Sequence, residues 1–206
     1  MYEELLSRII SSDLEPEDRI TIDAVSREIG VSQTPVREAL HKLAAEGVVV
    51  HHHLSGYRVA PKLSKEQFEH LVEFRLALEP VAARNAAERM SKEMFGELEH
   101  LNSEMATVLT TAESDHGYAA FSRFDAQFHD AIARGGGNPY IRESLLRLHL
   151  HTHLFRLANY QQITTRAVDE HAEVLAALRA RDPGEAALSM RQHIHLSAGR
   201  FRTSFE

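Results

Sequence analysis

Apolar residues recur every three or four positions through most of this chain, and the places where that rhythm stops divide it. In YEELLSRIIS, residues 2–11, Leu5, Leu6, Ile9 and Ile10 share one helical face. Pro16 interrupts, and TIDAVSREIG, residues 21–30, predicts a short helix with Ile22, Val25 and Ile29 inward and Gly30 placed to end it. VSQTPVREALHKLAAEG follows. Ser32 suits its N-cap and Pro35 its first turn, Val36, Ala39, Leu40 and Leu43 form its apolar face, and Gly47 stops it. VVVHHHLSGYRVAP then predicts two short strands about a Ser55-Gly56 turn. Helix, helix, turn, helix, hairpin is the order of a winged helix-turn-helix.

Past Pro61 the pattern is helical throughout. Helices are expected over 64–90, 91–112, about 115–134, about 139–160, 163–180 and 183–203. The run GGGNP breaks the chain before the fourth, and Asp182-Pro183-Gly184 starts the last. The expected fold is therefore mainly α. A winged helix-turn-helix occupies residues 1–61, and an all-α bundle of about six helices occupies 64–206.

Composition narrows this picture. Of the 206 residues, 43% are apolar, enough for a real core. Cysteine is absent, which removes disulfides, thiolate metal sites and a Cys nucleophile. The first twenty residues are too charged for a signal peptide, and no apolar run is long enough to cross a membrane. A soluble, cytoplasmic protein is expected. The net charge is −7, and residues 1–61 hold six Lys or Arg against ten Asp or Glu. Binding to phosphate-rich partners would then be modest and salt-sensitive.

Histidine stands out, at 14 residues. In FDAQFHDAIARG, Asp125 and His129 are four residues apart and so share a helix face. They adjoin an apolar stripe of Phe121, Phe124, Phe128 and Ile132, which puts them at the edge of the core, partly desolvated. A buried ion pair explains these two by themselves. Two further histidines also replace apolar residues on inward faces. His171 lies on the face of Val168, Leu175 and Leu178, and His193 on that of Ala186, Met190 and Ser197. Bundles build metal sites from such inward side chains, but periodicity alone leaves open whether these three helices converge. His149 and His153, also four apart, have a lining or structural role, with His151 pointing elsewhere, and His195 faces away from His193. The triplet His51, His52 and His53 reads as an exposed strand.

The segment VSQTPVREALHKLAAEGVV closely resembles the signature of GntR-type bacterial transcription regulators, matching at Val31, Ser32, Thr34, Pro35, Val36, Arg37, Glu38, Ala39, Leu40, Leu43, Glu46 and Gly47. The resemblance implies double-stranded operator DNA as partner, with Ser32, Gln33, Thr34 and Arg37 on the recognition helix and His53 to Gly56 on the wing. Two departures matter. The family often has Arg where this chain has Gln33, and often a basic residue near Asp23. A helix-turn-helix that binds only protein is the alternative.

After residue 64, the motifs EFRLALEPVAARNAA, DAQFHDAIARGGGNPYI, DEHAEVLAAL and MRQHI resemble the FCD ligand-binding domain of the FadR branch of that family. Its metal-binding members carry Asp-x-x-x-His and one His on each of the last two helices. Asp125, His129, His171 and His193 fill those positions. The resemblance thus implies a divalent ion, zinc first, with nickel or manganese as alternatives. One carboxylate against a divalent ion leaves a net positive pocket that suits a small organic acid as effector, and a homodimer is expected because two recognition helices then read a short palindrome. Arg75 is the candidate second contact for such an acid, or else the salt-bridge partner of Glu79 one turn on. A metal-dependent hydrolase or isomerase using the same His/Asp site is the alternative function, although no general base stands at a convincing spacing.

Overall fold

The computed structural model describes residues 1–53, 55–111, 115–157 and 164–205. Helix α1 (Tyr2–Ile10) leads into a two-residue strand β1 (Arg19–Ile20), then α2 (Ile22–Ile29), α3 (Gln33–Ala45) and the strands β2 (Val49–His52) and β3 (Gly56–Val59). The short β1 was not expected. It pairs antiparallel with β3, Arg19 opposite Arg58, to give a three-stranded sheet in the order β1-β3-β2. Thr21 caps α2 by accepting from the Ala24 N–H, and Gly30 ends it at φ 75°. Ser32 is the N-cap residue of α3, but its hydroxyl makes no capping bond. The core of this head is Leu5, Ile9, Val36, Leu40, Leu43 and Val49, all at most 2% exposed.

The bundle comprises α4 (Lys65–Arg89), α5 (Lys92–Thr111), α6 (Asp115–Gly135), α7 (Pro139–Arg147), α8 (Leu150–Phe155), α9 (Thr164–Arg179) and α10 (Pro183–Arg202), with a final 3-10 turn at Thr203–Phe205. A full capping box between Ser64 and Gln67 starts α4, and Asp182 caps α10. Helix α4 packs along α10 and across α6, while α9 leans on α10 and α5. The GGG turn allows close packing here: a Cβ at Gly136 would lie 2.7 Å from the Ala82 carbonyl oxygen of α4.

One expected helix, 139–160, is broken. His149 sits at φ 42° between α7 and α8, a left-handed turn that periodicity does not reveal. Of that span, 158–160 lie outside the described residues. Phe124 is a smaller correction: it is half-buried beneath the Arg123 guanidinium, while Phe121, Phe128 and Ile132 are core. Among the described residues, no helix is long and apolar enough to cross a membrane.

Candidate metal and effector site

Helices α6, α9 and α10 each turn histidine into the bundle. His129, His171 and His193 are 5%, 0% and 3% exposed, and one potential ligand atom from each lies within 4.8 Å of the others. Asp125 is just as buried, so the Asp125–His129 pair lies inside the core and not at its edge. Its Oδ1 is 3.5 Å from His171 Nε2. The reason is local: Asp125, Phe128 and His129 share the inward side of α6, and the Phe128 ring stacks on His171 with centroids 4.2 Å apart.

Around these four runs a set of partners. His151 Nδ1 donates to Asp125 Oδ2 at 2.6 Å. His193 Nδ1 donates to Glu170 Oε2 at 2.9 Å, and Arg200 grips the same carboxylate. His129 Nδ1 lies 2.5 Å from Glu79 Oε2, at an angle poor for N–H donation. Glu79 in turn receives Arg75 through Nε at 2.5 Å and Nη2 at 3.3 Å. Arg75 therefore is the salt-bridge partner of Glu79, and through that carboxylate it adjoins His129. Such outer carboxylates fix ring orientation and raise ligand basicity at metal centres.

His151 corrects an expectation. The i, i+4 spacing gives His149 and His153 a lining or structural role and points His151 elsewhere. The break at His149 resets the register of α8, so that His151 is buried on Asp125. His153 Nε2 instead meets the Glu46 carbonyl oxygen in the head, at 3.1 Å. Glu79, Glu170 and Arg200 were also missed as site residues. A signal existed for Glu79: with Arg75 it interrupts the inward face Phe68, Val72, Ala82, Ala83 and Ala86 of α4.

Electrostatics sort the charges. Burial opposes ionisation of Asp125, yet the His151 hydrogen bond and the nearby imidazoles hold its carboxyl well below the usual range. Burial likewise opposes charge on Glu79, and the Arg75 guanidinium beside it overcomes this and holds its carboxyl well below the usual range. Burial pushes His129 down to about 4 despite Glu79, and pushes His171 well below its ordinary value with help from His193. The first of these is a neutral imidazole at pH 7, and so is the second, which is the form that ligates metal.

A divalent ion fits this set. Both ring nitrogens of His129 and of His171 are buried without a hydrogen-bond partner. An unsatisfied buried polar atom costs roughly 1–3 kcal/mol. A cation that takes the one lone pair of each neutral ring lowers that cost. A second group, Glu79, His129 and His151, also has ligand atoms within 4.8 Å of one another, and shares His129 with the first.

On the head, Ser32, Gln33, Thr34, Arg37 and His53 are exposed, and Gly56 pairs with His52 next to the turn of the wing. A cleft between α3 and the wing is lined by Arg19, Thr21, Asp23, Arg37, His51 and Gly56. Gln33 is not free there: its Nε2 donates to Asp23 Oδ1 at 2.6 Å. Leu54, at the wing tip, lies outside the described residues.

Comparison with known proteins decides the family. Residues 70–196 match the FCD domain model, and residues 1–59 match the model of bacterial regulatory proteins, gntR family. The chain belongs to the GntR family, in the branch that carries an FCD domain. It is similar to the HTH-type transcriptional repressor GlaR of Escherichia coli (strain K12), 27% identical over 94% of this chain and 90% of that one. It is also similar to the gluconate operon transcriptional repressor of Bacillus subtilis (strain 168), 24% identical over 92% of this chain and 79% of the repressor. Among solved structures, E. coli McbR/YncC superposes with a TM-score of 0.73 at 20% identity, covering 100% of this chain and 97% of the other. This GntR-family chain is a transcription regulator with a winged helix-turn-helix and a helical FCD domain. The hydrolase or isomerase alternative is set aside, since these relatives are named as regulators.

Proposed function

We propose that this regulator binds operator DNA as a homodimer and senses a small organic acid at a divalent ion held by Asp125, His129, His171 and His193. The observation that supports it most is the meeting of three buried imidazoles, of which His129 and His171 make no hydrogen bond through either ring nitrogen. Three neutral rings and one carboxylate suit zinc, with nickel or manganese as alternatives. The ion, when bound, supplies a Lewis-acidic anchor for a carboxylate. The chain supplies the rest. Glu170 and Glu79 orient His193 and His129, and His151 orients Asp125. A narrow cleft lined by Glu79, His129, Asp130, Leu145 and His151 borders the site on the α7–α8 side, and a small acid would have to widen it to enter. Arg75, beside it, would share itself between Glu79 and the acid, as a bidentate guanidinium can.

Helix α8 supports a path from this site to the head. His151 touches Asp125 at one end. On the same helix His153 meets the Glu46 carbonyl at the end of α3, and the adjacent Arg156 donates to the Ala60 carbonyl just past β3. Any shift of His151 on ligand binding therefore moves groups that hold the recognition helix and the wing. The ligand must bind one arrangement better than the other for this to regulate. On DNA, Ser32, Gln33, Thr34 and Arg37 at the start of α3 would enter the major groove, with His53 and Gly56 of the wing beside the minor groove. Two heads in a dimer then read a short palindrome.

The test uses full-length protein, stripped of metal and reloaded with zinc. A thermal-shift screen of organic acids should give stabilisation only in the loaded form, and the hit should change affinity for the selected DNA. Equal response of metal-free and loaded protein would sink the sensing role.

A further inference from the structure

Gln33 is the first residue of α3 and Asp23 the second of α2, and both are exposed where the two helices meet at the DNA-facing end of the head. Their 2.6 Å hydrogen bond spans the turn between the helices. An ionised carboxylate only accepts. The Gln33 amide must therefore give an N–H to Asp23, and its Oε1 is sent the other way. The side chain that stands first on the recognition helix is thus held in one orientation before DNA arrives. The pair offers Gln33 Oε1 and the second oxygen of Asp23, two acceptors, with one amide N–H to spare. It borders the cleft whose wall also carries Arg37, His51 and Gly56.

Major-groove chemistry then narrows what this edge accepts. Acceptors meet the exocyclic amines, N6 of adenine and N4 of cytosine. They are repelled by the N7 and O6 acceptors of guanine and by O4 of thymine. A free glutamine can turn its amide to suit either kind of base; one clamped by a carboxylate cannot. We propose that Gln33 and Asp23 act as a single acceptor edge that selects an amine-bearing base, adenine or cytosine, and rejects guanine at that step of the operator. The inference rests on the DNA-reading role proposed above. It also gives a use to a carboxylate that otherwise only repels phosphate in a head already short of positive charge.

Selection of full-length protein against a randomised DNA library, followed by affinities on the selected half-site with each base at each position, tests it. Gln33→Arg identifies the position, since arginine there turns the preference to guanine. At that position the native protein should favour adenine or cytosine over guanine by about tenfold or more, and the measured order of the two amines tells which base is read. Asp23→Ala should shrink that discrimination to about threefold or less at that position alone, and Asp23→Asn, whose amide permits either orientation of Gln33, should relax it too. Guanine preference in the native protein, unchanged discrimination in Asp23→Ala, or an equal loss at every position would each overturn the proposal. If no sequence is enriched at all, the DNA-reading role itself fails, and the acceptor edge with it.

Discussion

Ser32, Thr34 and Arg37 lie in solvent on the head, whereas Asp125, His129, His171 and His193 are 0–5% exposed in the bundle. The head keeps its polar groups hydrated until a partner strips that water away, so its chemistry is written in short exposed motifs. The bundle has already dehydrated its groups, and each needs a compensating neighbour: Glu79 has Arg75, Asp125 has His151, and Glu170 has His193 and Arg200. Function in the first region is separable residue by residue. In the second it belongs to a network, and a single change should spread.

His171→Ala should break the comparison hardest. In zinc-reloaded protein, elemental analysis and chelator competition should show affinity falling more than about 100-fold, beyond what outer partners contribute. DNA binding without effector should stay within about threefold, since distant sites act independently. Stoichiometric zinc at unchanged affinity would remove His171 from the ligand set. Glu170→Gln sharpens the same point one shell out. The shape stays, but the charge that orients His193 goes and Arg200 is left unpaired, so zinc affinity should fall by about 10–100-fold. If Glu170 serves only to pair Arg200, thermal stability would drop while zinc affinity held.

How much was legible in the sequence follows the same divide. The i, i+4 rule placed Asp125 with His129, and inward histidines marked α9 and α10, because a polar residue on an apolar face stands out. The family resemblance, not periodicity, brought the three helices together. What failed depended on long-range or irregular backbone. His151 was misplaced because the turn at His149 has no proline or glycine to announce it. Glu170 does not stand out in the sequence, since its partner His193 lies on the next helix, 23 residues on. The strand β1 is two residues long and exists only because β3 passes beside it.

At the seam between head and bundle the two regimes meet. Arg156 is 2% exposed and donates to the Ala60 carbonyl, and burial lowers it to about 10. Arg156→Ala should leave zinc affinity alone but change the effector's influence on DNA binding by about 2–30-fold, the span expected for residues along a coupling path. Anisotropy titrations with and without the effector measure it. An unaltered ratio would show that the signal reaches the head by another route.

The smallest effect expected is a pH dependence at His153. Burial lowers its pKa below 6.5, the positive Arg156 adds to this, the Glu46 carbonyl pulls the other way, and His149 nearby lowers it slightly. In the folded protein the ring thus stays neutral to lower pH than in the unfolded chain. Its contribution to stability is fully present above about pH 6.5 and is lost as pH falls through the depressed folded value. His153→Gln can still place an N–H near the Glu46 carbonyl but does not titrate. Between about pH 8 and pH 5.5 its thermal midpoint should fall by about 1–2 °C less than that of the native protein, a shift in line with a fraction of a kcal/mol in a chain this size. The other 13 of the 14 histidines are common to both proteins, so only the difference between the two curves reports on this contact. Parallel curves would mean that the proton finds room at His153 without disturbing the seam, and that α8 holds the head through Arg156 alone.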